Sequence, residues 1–419
     1  MKVTAATAIA TKLVEAGCKH AFGMPGGEVL TVMQALDQAG VEFTLCKHEN
    51  AAGFMAEGSY HATGAPGILL TTIGPGLVNG VNSIANAYQE QVPLIVLSGC
   101  IDRAEAEGFT HQVIDQTALL APITKAQFRV AEGSASQVID KAIAIAMADP
   151  PGPVHVDVPH NLAASEVEIT GPVLLPEAGD WPEGSSLSAA QDLLAKAERP
   201  IILAGVGAMH HDAGDAILKL AEAFMAPVIT TYKAKGVIAE DHPLSLGGHG
   251  LSPRSDTVVL PMLAASDCII LAGYDPIEMR NGWISPWAPQ VAIDFCHADP
   301  QHGMHGAAVR FVGNVESALN TLANTVSTAR EPWPDGEVEK ARETLRDMFA
   351  NRKEWGPHQV FATARKALPP ETVATVDSGA HRILLSQMWE CPAPRTLLQS
   401  SAFCTMGVSL PLAIGYAKA

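Results

Sequence analysis

The sequence predicts an α/β protein of parallel sheets with helices on both faces. Short β-rich runs alternate with helical patterns along the chain, the order that βαβ units produce. Glycine-rich turns follow several of those runs and open the next helix. The 419 residues exceed what one hydrophobic core usually serves and suggest two or three domains.

In order, a helix over about Ala5–Ala16 is followed by the run Lys19–Phe22 and a turn at Gly23–Gly27. A helix from about Val29 leads to a strand at Val41–Cys46, another helix starts at Asn50, and Gly67–Ile73 is a buried strand. The Gly74-Pro75-Gly76 turn opens a helix to about Tyr88, and Pro93–Ser98 and Val154–Val158 are further strands. Residues 171–186 are rich in Pro, Gly and acid without periodicity and read as a linker. A second α/β unit has strands at Pro200–Gly205, Pro227–Thr231, Cys268–Ala272 and Val291–Asp294 and ends near Thr325. Arg330–Asp335 reads as another linker, Gly336–Trp355 as a charged amphipathic helix, and a third unit starts near His358, with a strand at Thr372–Asp377. That third unit reaches Ala419 inside an apolar helix, so it is expected to be incomplete.

With 47% hydrophobic and 17% charged residues the chain is globular, which argues against disorder, coiled coil or collagen. A net charge of −17 argues against nucleic acid or an anionic membrane as partner. Seven cysteines, odd in number and without a C-x-x-C pair, suit a reducing cytoplasm better than a disulfide framework. The N-terminus, with Lys2, Lys12 and Glu15, reads as an amphipathic helix instead of a signal peptide. No apolar run is long enough to span a membrane.

Glu49 directly follows a strand, where ligands gather in open α/β sheets. The residues after it, Ala51 to Ala56, are small or apolar and offer little to solvate a charge, which suits a carboxyl to proton exchange near neutrality. The other reading is a helix N-terminal acid favoured by the macrodipole. Gly74-Pro75-Gly76 with Gly80 is close to a dinucleotide fingerprint, but Pro75 removes a donor and no acid ends the next strand, so a tight packing turn is at least as good a reading. Gly205-Val206-Gly207 carries the same ambiguity. His297, His302 and His305 lack metal-ligand spacing, and neither a GxSxG elbow nor a Walker A loop is present.

The order of motifs resembles the thiamine-diphosphate (ThDP) enzymes of the acetolactate synthase and pyruvate oxidase type. The resemblance rests on FGMPGG (22–27), KHENAAGFMAEG (47–58), TTIGPGLVNGVNSIANAYQEQVPLIVLSG (71–99), THQVIDQTALLAPITK (110–125), GPVHVDVP (152–159), DHPLSLGGHG (241–250), GYDPIEM (273–279), VDSGAHR (376–382) and CTMGVSLPLAIGYA (404–417). It implies three α/β domains: a pyrimidine-binding domain over 1–170, a linker at 171–186, a central domain over 187–329, a linker and helix over 330–357, and the start of a diphosphate-binding domain over 358–419.

The resemblance also implies roles. Glu49 matches the glutamate that hydrogen-bonds the cofactor's aminopyrimidine and favours its imino tautomer; His111 and Gln112 match catalytic residues over the reacting carbon. Pro25, Gly26, Thr72, Gly74 and Asn79 match the pyrimidine pocket. Ser378, Gly379, Ala380 and His381 match a stretch approaching the diphosphate; the Cys404 carbonyl matches the acceptor for the 4′-amino group, and Met406 the residue on which the cofactor bends. The implied reaction is decarboxylation of a 2-oxo acid, pyruvate first, with carboligation to acetolactate, in a cytoplasmic homodimer or homotetramer. THQ(x)₂D(x)₃LL(x)PITK and GYDPIE resemble the flavin-independent, catabolic enzymes, which does not favour bound FAD. Benzaldehyde lyases and other carboligases share the IDQ…APITK run, so the substrate stays open, as do a phosphate-using acetyltransferase, a flavin oxidase and a non-catalytic scaffold. The family's Mg²⁺ ligands, Gly-Asp-Gly followed by Asn, do not occur up to Ala419. The expectation is therefore a truncated version of a longer enzyme, inactive alone, with its Mg²⁺ ligands beyond Ala419.

Overall fold

The computed structural model describes residues 2–169, 171–175, 184–284, 286–298, 303–324, 330–350 and 354–419. It divides into two compact units, Met1–Glu177 with Ala402–Ala419, and Ala178–Ser401. Residues 176–183 of the expected linker and His302 lie outside the described residues.

In the first unit β1 (Lys2–Thr4) precedes a six-stranded sheet of β2 (His20–Met24), β3 (Glu42–Leu45), β4 (Gly67–Thr71), β5 (Leu94–Cys100), β6 (Ala126–Arg129) and β7 (Pro153–Pro159). The spatial order is β3-β2-β4-β5-β7-β6, with every neighbour parallel; β8 (Glu166–Glu168) pairs antiparallel with β1. The apolar runs are divided between the two faces by the two-residue period of a strand. Ile68 and Leu70 of β4 and Ile95 and Leu97 of β5 join one core with α1 (Ala5–Glu15), α2 (Leu30–Gln38) and the helix Ala135–Met147. Leu69, Leu94 and Val96 face the other core, with α3 (Glu49–Thr63) and α4 (Pro75–Glu90).

The strand expected at Lys19–Phe22 runs on to Met24, because Gly23 pairs with both Leu45 and Leu70. The helix Ser409–Lys418 packs on α3 backbone to backbone. A Cβ on Gly58 would lie 2.2 Å from Leu412 O, and one on Gly415 1.9 Å from Met55 O.

The second unit has its own six-stranded sheet of β9 (Pro200–Ala204), β10 (Val228–Thr231), β11 (Ser245–His249), β12 (Cys268–Ala272), β13 (Ala292–Cys296) and β14 (Val309–Val312) in a different order, β11-β10-β9-β12-β13-β14, again all parallel. β15 (Ala374–Val376) and β16 (Leu397–Gln399) form a separate parallel pair. Strands the periodicity did not single out, such as β11 (SLGGH) and the half-exposed β14, are glycine-rich or at an edge, where apolar alternation is weak. The charged helix runs over Glu337–Ala350. Among the described residues no helix is long and apolar enough to cross a membrane. Among the described residues no disulfide joins any of the seven cysteines, six of which are buried.

Candidate active site at the first topological switch point

In the first sheet the chain goes from β2 outward to β3, then returns to β4 on the other side of β2. A crevice at such a reversal, beyond the carboxyl ends of the strands, is where open α/β sheets bind ligands. The residues just past β2 are Pro25 and Gly26, and those past β4 are Thr72 to Gly74. The structure brings these together: Thr72 Oγ1 donates to Glu28 Oε2 at 2.6 Å, and a Cβ on Gly26 would lie 2.2 Å from Thr72 Oγ1.

Glu49 opens α3, whose cap is the His48 ring accepting from Asn50 N–H at 3.2 Å. Its side chain is buried, 3% exposed, although the helix N-terminus favours a negative charge there. Asn79 Nδ2 of α4 donates to Glu49 Oε2 at 3.0 Å, while Oε1 accepts no hydrogen bond among the described residues. A Cβ on Gly76 would come within 3.2 Å of that oxygen, so glycine keeps the approach to it clear. The arrangement can accept or hold a proton at one defined oxygen in a largely dry setting.

Gly74 caps α4 at φ +59, ahead of Pro75 at the first helical position. Its N–H donates to Gln116 Oε1 at 2.7 Å, and a Cβ on it would lie 2.2 Å from Gln112 O. Gln116 Nε2 in turn donates to Asp157 Oδ1 at 2.6 Å and to Gly99 O at 3.1 Å. Ser98 Oγ adds a 2.7 Å bond to the same Asp157 oxygen and lies 2.7 Å from His155 Nε2. This buried network stitches the Gly74 turn to the loop carrying His111 and Gln112, both exposed, with Gln112 at φ +60. The sequence reading passed over Gln116; its signal was a lone amide opening an otherwise apolar helix, Gln116–Leu120.

Cys404 and Met406 lie on the loop before the helix Ser409–Lys418, both exposed, Met406 by 80%. Glu90 Oε1 accepts from Ala402 N–H and Phe403 N–H at 2.8 and 3.1 Å, and Thr405 Oγ1 is 3.3 Å from Asn82 Oδ1, which ties the loop to α4. Ser378, Gly379, Ala380 and His381 fall in the second unit, on the turn from β15 into the helix Ala380–Met388. Ser378 Oγ there is buried and has no hydrogen-bond partner among the described residues.

The second sheet has its own switch point, between β9 and β12. A Cβ on Gly205 would lie 2.5 Å from Gly273 O, and one on Gly207 2.2 Å from His297 Nδ1. These glycines serve close packing. Asp294 of β13 is fully buried and bonded to His305 Nε2 at 3.0 Å, Arg310 Nε at 2.8 Å and Cys296 Sγ at 3.1 Å. Burial raises its carboxyl, but His305, Cys296 and Arg310 outweigh that and hold it below the usual range. Among the described residues no group of three or more His, Cys, Asp or Glu side chains is placed to hold a metal ion.

Two parallel-sheet units, the first with a buried carboxylate open to a glycine-lined switch point, define an α/β protein with a candidate ligand site. The N-terminal TPP binding domain of thiamine pyrophosphate enzymes matches residues 3–119, and the central domain of the same enzymes matches 187–322. A probable acetolactate synthase large subunit of Methanocaldococcus jannaschii is 30% identical over 98% of this chain and 72% of its own length. The acetolactate synthase of Bacillus subtilis is 29% identical over 96% and 72%. A probable 2-ketoarginine decarboxylase of Pseudomonas aeruginosa is 28% identical over 99% and 74%. The chain belongs to the thiamine pyrophosphate enzymes, of the acetolactate synthase type.

Proposed function

We propose that the protein decarboxylates pyruvate and joins the resulting two-carbon unit to a second pyruvate, forming acetolactate. The observation that carries this reading is Glu49, buried at the first switch point with one oxygen held by Asn79 and the other free beside Gly76. When bound, thiamine diphosphate supplies the electron sink for decarboxylation of a 2-oxo acid. The residues fit the pyrimidine end of that group: Glu49 and Asn79 offer the polar edge, and Gly76 keeps the approach to Glu49 Oε1 clear. Glu49 Oε1 holds or passes the proton, and its burial keeps water from competing. In the second unit the Ser378–His381 turn suits a diphosphate, and in the first Met406 would support a ring system from its exposed position. His111 and Gln112 would face the substrate from a loop held in register by Gln116.

Mg²⁺ does not fit the donors of these 419 residues, which contain no Gly-Asp-Gly. The THQ(x)₂D(x)₃LL(x)PITK and GYDPIE stretches make a flavin-independent enzyme part of the same reading. A cytoplasmic homodimer or homotetramer is part of the same reading. The decarboxylase relative favours a second one, release of an aldehyde from another 2-oxo acid without carboligation.

The test is a product assay of the natural, full-length protein with thiamine diphosphate, Mg²⁺ and pyruvate. Acetolactate is expected. Acetaldehyde alone, or turnover only with a larger 2-oxo acid, supports the second reading, and no turnover of any 2-oxo acid overturns both.

A further inference from the structure

Beside the Gly74 turn, in the first unit, lies a cavity of about 250 Å³ that the proposed chemistry does not use. Asp157 of β7 and Arg129 of β6 both line it. They are register partners on neighbouring parallel strands, so both side chains stand on the same face of the sheet. Yet among the described residues no ion pair joins them. Arg129 gives one N–H group to Ile101 O. Its other N–H groups have no partner among the described residues. Asp157 is 2% exposed, and its Oδ1 is saturated by Ser98 and Gln116. Its Oδ2 has no hydrogen-bond partner among the described residues, and Asp157 lines the cavity. The rest of the wall includes the apolar side chains of Ile73, Ile101 and Val113.

A cavity that offers an acceptor oxygen and a guanidinium from one sheet face, with aliphatic walls, calls for a ligand carrying the complementary pair of charges. A simple cation would be repelled by Arg129, and a simple anion by Asp157. Asp115, which also lines the cavity, is already committed, since its Oδ1 caps a helix through Ala118 N–H and Thr117 Oγ1. We propose that this cavity binds a small zwitterion with an ammonium and a carboxylate on neighbouring atoms and a short apolar side chain, that is, an α-amino acid. The ammonium takes Asp157 Oδ2 and the carboxylate takes the free N–H groups of Arg129. The site stands whether or not the protein turns over pyruvate.

Isothermal titration of the natural, full-length protein with L-alanine, propionate and ethylamine tests it, with a melting curve in parallel. L-alanine is expected to bind and raise the melting temperature, and each half-molecule to bind at least tenfold more weakly. Arg129→Met, on a half-buried edge strand, should keep the fold and lose L-alanine at least tenfold. Asp157→Asn should lose it too, and where that variant melts early, Arg129→Met alone decides. The proposal is overturned if L-alanine gives neither heat nor a shift, if propionate or ethylamine binds as tightly, or if Arg129→Met binds unchanged.

Discussion

The two six-stranded parallel sheets differ in strand order, each has a switch point, and they end differently there. In the first, side chains meet across the crevice, Thr72 with Glu28 and Asn79 with Glu49, and one oxygen of Glu49 has no partner among the described residues. In the second, the backbone closes on itself where Gly205 meets Gly273, and the carboxylate of Asp294 is tied to His305, Arg310 and Cys296. A fully partnered buried carboxylate is a structural knot. One with an open oxygen beside a glycine is a reactive group held ready. The topology offers the place for a site twice, and the local hydrogen-bond inventory decides which place is used.

Exchanging the charge at each carboxylate breaks this comparison most directly. Glu49→Gln in the natural, full-length enzyme is expected to lower turnover by roughly 10²–10⁴-fold, the range for a lost proton-transfer group, with the melting curve unchanged. A variant that keeps wild-type turnover would sink the assignment. Asp294→Asn is expected to do the reverse. Removing one member of a buried charge cluster costs about 3–5 kcal/mol, read by urea unfolding, with Glu49 chemistry untouched. The pH dependence follows in sign. The Asp294 carboxyl is held below its ordinary value, so its stabilisation is present above the usual carboxylate range and is lost as pH falls through the lower folded value. Wild type and Asp294→Asn should therefore differ at neutral pH and converge in acid.

Gln116→Leu probes the stitch behind the first switch point. It leaves Gly74 N–H and a lone pair of Asp157 unpaired, which costs about 2 kcal/mol and should speed amide exchange at Gly74. Unchanged exchange would mean that the loop bearing His111 and Gln112 is held by something else. The smallest expected effect belongs to Lys125, whose ammonium bonds Ala148 O at 2.6 Å. Burial pushes it down to about 8, against the charge of Asp149. A lysine depressed in the folded state adds stability as pH rises from about 8 toward its ordinary value near 10.5. Lys125→Met should flatten that alkaline slope, whereas the Asp294 effect lies wholly at the acid end.

The sequence by itself determined the alternation of strands and helices, because apolar period and turn chemistry are local properties. It also carried the family resemblance, because an ordered series of motifs survives where individual motifs are ambiguous. Gly74 and Gly205 each read equally well as a nucleotide turn or a packing turn, and in the structure each packs against a backbone carbonyl, Gln112 O and Gly273 O. Gly74 is held by Gln116, 42 residues away, and Glu49 by Asn79, 30 residues away. No spacing rule reports such pairs, since strand order decides them and the chain does not write strand order down. Tertiary structure alone decided which buried carboxylate would be saturated and which would keep an oxygen free.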